Sequence, residues 1–443
     1  MKKNIYIPIE ITHRELIPRL YLSYLLIKKG YRVFIGSKRG IFNFIKNKKD
    51  CEGIFFYKSA FSQEDKSRIS FHDTNEITNL IKNCEHTIVL DEEMGIGMGY
   101  EPVTIEQRVT NLKYISKFFL IGNRLKNKII KKNLKYKKIF VSTGWPKYDL
   151  NKSRFNNFYK TEAKKIKKEH GEFYLFSSNF GFLNKQKLSE RLRKIKGNKK
   201  KYQNLKIVYK NAFKDYINFI KKINKFSNNP KFKIIIRPHP SDRSIQNWYR
   251  DVKQNRFVKV IYKNDITPWI FASKGLIHRG CSTSVDAYMI KKNIYYLKPN
   301  RKINKFEKNI PFKISQKIRN LNDISKFKRK KIKNFVSKSN LNFNIYNIAN
   351  KDSSKEIIKQ LNLLKVKKMN ESKPNYFNIF KINLIEELSK ILKIFMFKSR
   401  DNTNQKMPVQ LSKKFISNQI INIMQKKDFR VKHIDFETYQ ISE

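Results

Sequence analysis

Short apolar runs separated by amphipathic stretches set the pattern of this chain from its first residues. Residues 4–9 read as a buried strand, and 15–29 follow with Leu16, Leu20, Leu22, Tyr24 and Leu26 at near-helical spacing. Gly30 stands where a helix C-cap is expected, and a second strand, 31–35, ends at Gly36. Further strand-length runs lie at 53–57, 87–90, 118–121 and 138–141. Strands alternating with helical segments predict a parallel sheet with helices on both faces. In such sheets ligands bind beyond the carboxyl ends of the strands, so the loops after these runs are where chemistry is expected.

The alternation pauses over the lysine-rich stretch 151–170 and resumes with strands at 173–177, 233–237, 258–262, 275–278 and 294–297 and helices at 209–225 and 284–291. The expected division is an N-terminal Rossmann-like domain over 1–165, a second over 166–365 and a basic helical tail over 366–443. Two open α/β domains are expected to face each other across a cleft. The tail has a polar break at 366–377 and an amphipathic segment at 382–398; it is expected to pack back on the domains or to lie on an anionic inner-membrane surface. No repeat of solenoid period is visible.

Composition narrows the class. With 97 Lys and Arg against 36 Asp and Glu the formal charge is +61, yet 40% hydrophobic residues and only 14 Gly and 12 Pro exclude a disordered polycation or a collagen-like fibre. The abundance of Ile, Asn, Phe, Tyr and Lys together matches AT-rich coding, so the charge by itself names no partner. It does raise affinity for phosphates and anionic headgroups. Cys51, Cys84 and Cys281 form no CxxC pair, which supports neither a disulfide framework nor a zinc site and fits a reducing compartment. Pro8 and Glu10 interrupt the apolar start too early for a signal peptide, and no run reaches membrane-spanning length, so a cytoplasmic protein, peripheral to the inner membrane at most, is expected.

Four groups of residues could carry chemistry. Asp91, Glu92 and Glu93 follow the strand 87–90; crowded carboxylates raise one another's pKa toward the range useful for proton transfer, although capping a turn or pairing with lysines would explain them too. The glycines at 95, 97 and 99 lack the dinucleotide-binding register. After the strand 233–236 come Arg237, Pro238, His239 and Pro240, where the prolines stiffen the backbone around a histidine able to donate to phosphate and the arginine offers a planar fork. Gly280 leads through Ser282, Thr283 and Ser284 into a helix, an arrangement suited to an anion, with N-capping as the simpler explanation of one hydroxyl. Glu10, His13, Arg14 and Glu15 lie between the first strand and its helix, where Glu15 could equally be a first-turn acid. No Walker motif is present.

Taken in order, IPIEITHRELIPRL, KKGYRVFIG, VLDEE, STGWPKYDL, LFSSNFG, RPHP and HRGCSTSVDAY resemble the bacterial surface carbohydrate biosynthesis protein family over about 300 residues, with Lys406, Met407 and Pro408 a further match. The motifs also resemble those of the two-Rossmann-domain (GT-B) glycosyltransferases of capsule and lipopolysaccharide synthesis, including bacterial sialyltransferases and Kdo transferases. The resemblance implies a catalytic carboxylate among Asp91, Glu92 and Glu93, and nucleotide binding by His239, Pro240, Ser282, Thr283 and Ser284. DEEMG departs from the family's two acids followed directly by glycine, which leaves the choice among the three acids open. Similar elements occur in the glycerophosphate transferases of teichoic acid synthesis.

The expected function is therefore metal-independent glycosyl transfer from a nucleotide sugar, a CMP-sugar first, to a glycan or glycolipid acceptor. Asp91 or Glu92 is the expected base, Arg237 joins the nucleotide set, Glu10, Arg14 and Glu15 face the acceptor, and no cofactor and no specific nucleic acid partner are expected. Transfer of phosphoglycerol or phosphosugar from a CDP-activated donor is the alternative. A non-catalytic binder of RNA or another anionic polymer is the third reading, disfavoured by the absence of an RNA-binding motif.

Overall fold

A computed structural model of the chain describes residues 2–46, 51–58, 80–81, 84–96, 105–106, 108–180, 183, 199–226, 232–239, 242, 245–262, 265–303, 307–327, 336–349, 351–369, 411–435 and 437–443. The chain forms two compact units, one of residues 1–95, 99–150 and 341–443 and the other of 96–98 and 151–340.

In the first unit β1 (Lys2–Ile9), β2 (Tyr31–Ser37), β3 (Cys51–Tyr57), β4 (Cys84–Leu90), β5 (Ile115–Leu120) and β6 (Phe140–Ser142) run parallel in the order β2-β1-β3-β4-β5-β6. Every residue of β2 is buried, as expected of a strand covered on both faces. The order reverses between β1 and β3. In open parallel sheets ligands bind at the strands' carboxyl ends beside such a reversal.

The second unit repeats the principle with β7 (Tyr174–Ser177), β8 (Ile234–Arg237), β9 (Val258–Val260), β10 (Gly275–His278), β11 (Asn293–Leu297) and β12 (Gln316–Ile318), all parallel in the order β12-β11-β10-β7-β8-β9. Numbered within the unit this is the Rossmann order, with its reversal between β7 and β10. The helix Lys199–Phe226 covers one face through Tyr216, Phe219 and Ile223, which pack with Phe176, Ile234, Ile236 and Trp248.

The observed borders differ from the expected ones for physical reasons. The stretch expected to link the domains is the helix Asn156–His170, whose buried Tyr159, Ala163, Ile166 and His170 recur at spacings of four, three and four. It packs on the helix Ile266–Ala272, with Tyr159 stacked on Phe271 and His170 on Trp269. A border at 165 would cut this helix. Lys138 belongs to a 3-10 turn, Leu134–Ile139, rather than to β6.

Nor is the described part of 366–443 a separate tail. Lys368–Met369 (β13) pairs with the start of β1; β14 (Arg430–Asp435) and β15 (Thr438–Ser442) form a hairpin, and β15 lies antiparallel along β2. A side chain at Gly36 would place its Cβ 2.0 Å from the Glu437 carbonyl oxygen, so the hairpin's approach requires a residue without one. The expected amphipathic segment 382–398, the segment 406–408 and the glycines at 97 and 99 lie outside the described residues. Among the described residues no helix is long and apolar enough to cross a membrane.

Candidate active site

In the first unit the turn after β4 separates the three acids. Asp91 is buried and held as a fork: Arg108 Nε donates to Oδ2 at 2.6 Å and Nη2 to Oδ1 at 2.8 Å, while the Glu93 amide donates to Oδ1 at 3.0 Å. Both oxygens are engaged, so Asp91 serves the turn rather than a substrate. Glu93 is 30% exposed at its side chain and meets Lys58 at 2.9 Å, Arg14 at 3.0 Å and Arg108 at 2.9 Å. Burial opposes its ionisation, but these three cations outweigh it and hold the carboxylate well below its ordinary range.

Glu92 differs from both neighbours. Its Oε2 accepts from Arg19 Nη2 at 2.8 Å, while its Oε1 and Arg19 Nη1 are buried without a partner among the described residues. Burial raises the Glu92 pKa; Arg19 offsets this in part, and the charge on Glu15 adds to the rise. A buried carboxylate oxygen left unpaired is costly, and functional groups are one place where that cost is met. Of the three acids, Glu92 alone combines an unengaged oxygen with a pKa moved toward neutrality.

The loop after β1 lies at the reversal of strand order. Lys58, just past β3, bonds Glu10 at 3.1 Å and Glu93, joining the ends of three strands. Glu15 is not free to meet an acceptor as expected: it accepts the Glu10 amide at 2.8 Å, the Ile11 amide at 3.2 Å and Arg14 at 2.8 Å. Burial would raise it, but Lys58 and Arg14 pull it down to about 2. Glu15 therefore secures its own loop. Arg14 and Glu10 are part-exposed and are tied to Glu93 and Lys58 respectively.

In the second unit three strand ends meet. Asp242, absent from the expected set, accepts the Phe180 amide at 2.8 Å through Oδ1, and the His239 amide at 3.1 Å and the Ser178 hydroxyl through Oδ2. The His239 amide also donates to Ser178 Oγ at 2.7 Å. One buried carboxylate thus fastens the loop after β7 to the turn carrying His239, whose residue is part-exposed. Pro240 lies outside the described residues.

The turn after β10 lies next to β7, where Ser177 Oγ contacts Cys281 Sγ at 3.4 Å. Gly280 adopts φ +90°, which favours glycine, and leads to the helix Thr283–Met289. Thr283 Oγ1 is buried with no partner among the described residues, and Ser282 makes no capping bond. Ser284 departs from expectation: its hydroxyl donates to the Cys281 carbonyl at 2.8 Å, so it closes the turn.

Arg237 also departs from its expected part. It is turned beneath the helix Ile266–Ala272, with its guanidinium 5.1 Å from the Trp269 ring centroid, and burial lowers its pKa to about 10 despite Asp265 and Tyr262 nearby. His278 is fully buried. Its Nδ1 accepts the Gly280 amide at 3.0 Å, which leaves Nε2 to donate to Ser315 Oγ at 2.8 Å, and Ser315 donates to the Pro311 carbonyl. Burial lowers it to about 3, so it is a neutral brace. By contrast, the hollow lined by Glu172, Phe173, Lys233, Arg256 and Lys274 opens at the amino ends of these strands and holds none of the motif residues. Among the described residues no group of three His, Cys, Asp or Glu is placed to hold a metal ion.

The sequence pattern missed the cations Arg19, Lys58 and Arg108 and the clamp of Asp242 and Ser178. Arg19 stands four residues after Glu15 on one helix face, and Asp242 follows the RPHP run as a turn-forming residue, so both left a weak signal. Lys58 and Arg108 left none.

Two parallel α/β units, each with its motif residues at strand carboxyl ends and near a reversal of strand order, define a Rossmann-like pair. No family model and no curated protein matches the chain. Among solved structures it is similar to the UDP-GlcNAc 2-epimerase of Methanocaldococcus jannaschii in complex with UDP-GlcNAc and UDP, at 12% identity and TM-score 0.49 over 82% of this chain and 99% of that one. It is similar to the S. aureus MnaA–UDP structure, at 11% identity and TM-score 0.47 over 84% and 100% of the two chains. A third is the wall teichoic acid polymerase TagF with CDPG, at 11% identity and TM-score 0.42 over 81% and 88%. These likenesses concern the course of the chain.

Proposed function

We propose that the chain is a glycosyltransferase of bacterial surface polysaccharide synthesis that moves a sugar from a nucleotide-activated donor, a CMP-sugar, to a glycan or glycolipid acceptor. The observation that carries this reading is the convergence at the β7/β10 reversal: the Asp242-fastened His239 turn, left-handed Gly280 and the Thr283 hydroxyl, which has no partner among the described residues. A crevice at such a reversal suits a nucleotide.

His239, Ser282 and Thr283 are assigned to the donor phosphate, where hydrogen-bond donors stabilise the charge left on the departing nucleotide. Glu92 is assigned to the acceptor hydroxyl: its unpaired Oε1 takes the proton as the new glycosidic bond forms and the sugar–phosphate bond breaks. Its raised pKa favours that exchange near neutral pH. Arg14 and Glu10, at the β1/β3 reversal, are assigned to the acceptor.

Phosphorus NMR of the chain turning over CMP-sugar, UDP-sugar and CDP-glycerol tests this. Glycosyl transfer leaves all phosphorus on the released nucleotide, whereas phosphoglycerol transfer moves one phosphorus to the product. Movement of phosphorus would replace the proposal with its CDP-donor alternative, and no turnover of any donor would contradict both.

A further inference from the structure

The crossover from β5 to β6, at the edge of the first sheet, is unusually basic even for this chain. Eight of the fifteen residues 124–138 are Lys or Arg and none is Asp or Glu, against 97 Lys and Arg in 443 overall. The helix Asn123–Ile130 packs through Leu125 and Ile129, but the 3-10 turn after it, Leu134–Ile139, buries none of its six residues. Leu134 is 66% exposed, and Lys131, Lys135, Lys137 and Lys138 are exposed around it. Lys132 meets Glu106 at 2.6 Å on the surface.

Lysines alone would be a solvated face in a chain of this charge. An exposed leucine in an element that buries none of its residues contributes little to the fold, and its place among exposed lysines is the pattern of an interfacial segment. Phosphate headgroups complement the lysines, and the headgroup–acyl boundary accepts the leucine. A soluble polyanion would meet the lysines equally but offers no apolar phase for Leu134. We propose that residues 131–138 form a docking surface for an anionic lipid bilayer.

The test is sedimentation of the full chain with phosphatidylcholine vesicles and with phosphatidylcholine–phosphatidylglycerol vesicles, with circular dichroism to confirm folding. One variant replaces Lys131, Lys135, Lys137 and Lys138 by Ser. A control removes the same charge from an exposed helix face by replacing Lys160, Lys164, Lys165 and Lys168 by Ser. Binding to anionic vesicles should fall roughly fivefold per lysine lost in the first variant and stay near the wild-type value in the control. Leu134→Ser, at unchanged charge, should weaken binding about tenfold and do so in high salt as well. Equal losses in variant and control would overturn the proposal. So would wild-type binding by Leu134→Ser, or displacement of vesicle binding by an RNA oligonucleotide together with indifference to Leu134.

Discussion

Asp91 and Glu92 are adjacent in sequence and opposite in circumstance. Both oxygens of Asp91 are occupied by Arg108 and the Glu93 amide, whereas one oxygen of Glu92 is buried with no partner among the described residues. Removing Asp91 would leave the buried Arg108 guanidinium with Glu93 as its remaining carboxylate partner among the described residues and its Nε without the Asp91 acceptor, so Asp91→Ala should cost about 3 kcal/mol of stability in denaturant titration. Glu92→Gln keeps an acceptor for Arg19 but removes the charge opposite its buried guanidinium, so it should also lower the denaturation midpoint, by less than Asp91→Ala, while lowering turnover about 10²–10⁴-fold. Equal activity losses with equal stability would contradict the assignment of separate roles.

His278 supplies a second residue-scale prediction. Its folded pKa of about 3 lies below the ordinary 6.5, so the unfolded chain takes up the proton first as pH falls. Its neutral form is therefore compatible with full stability above 6.5, and stability is lost as pH falls from there toward 3, at about 1.4 kcal/mol per unit. Nitrogen NMR should find His278 as the neutral Nε2–H tautomer at pH 5; titration near 6.5 would contradict the buried relay through Ser315.

At the scale of elements, the clamp by Asp242 ties two strand ends into one surface. Asp242→Ala releases the Phe180 amide and the Ser178 hydroxyl and leaves the His239 amide to Ser178, and each stranded group costs about 1–3 kcal/mol if it stays buried. Nucleotide affinity, read by calorimetry, should fall at least as far in Asp242→Ala as in His239→Ala. Retained affinity would mean that the turn holds its shape without the clamp.

The elements also show what the sequence made legible. Apolar runs such as 234–236 and 275–278 became strands because burial on both faces demands continuous apolar residues, and the motif loops followed at their carboxyl ends. The helix Asn156–His170 was hidden because its lysines dominate the composition while four buried residues carry its packing. Roles within motifs were less legible than the motifs. Ser284, Glu15 and Arg237 are the types expected at a site, yet tertiary contacts turn them inward, and the cations that fix Asp91 and Glu93 come from distant elements.

For the whole molecule, the chain closes its first unit with its own last residues. β15 covers the edge of β2, and Asp428 receives the Tyr24 hydroxyl and Lys28. An uncovered β2 would present a wholly buried-type strand as an open edge. Deleting residues 428–443 should lower the melting temperature and produce light scattering on heating; a monomeric truncated chain with unchanged melting would show that the hairpin is dispensable.

The same scale decides the central claim, that a molecule carrying +61 binds one nucleotide for its chemistry and not any phosphate for its charge. The direct measurement is a thermal-shift series with CMP, CDP, UDP, GDP and ATP at fixed ionic strength on the wild type and on His239→Ala. A ligand at 100 times its dissociation constant stabilises a fold by about 2.7 kcal/mol. Selective stabilisation by CMP or CDP, lost in His239→Ala, is the predicted result. Equal small shifts from all five nucleotides, unchanged in the variant, would contradict the account.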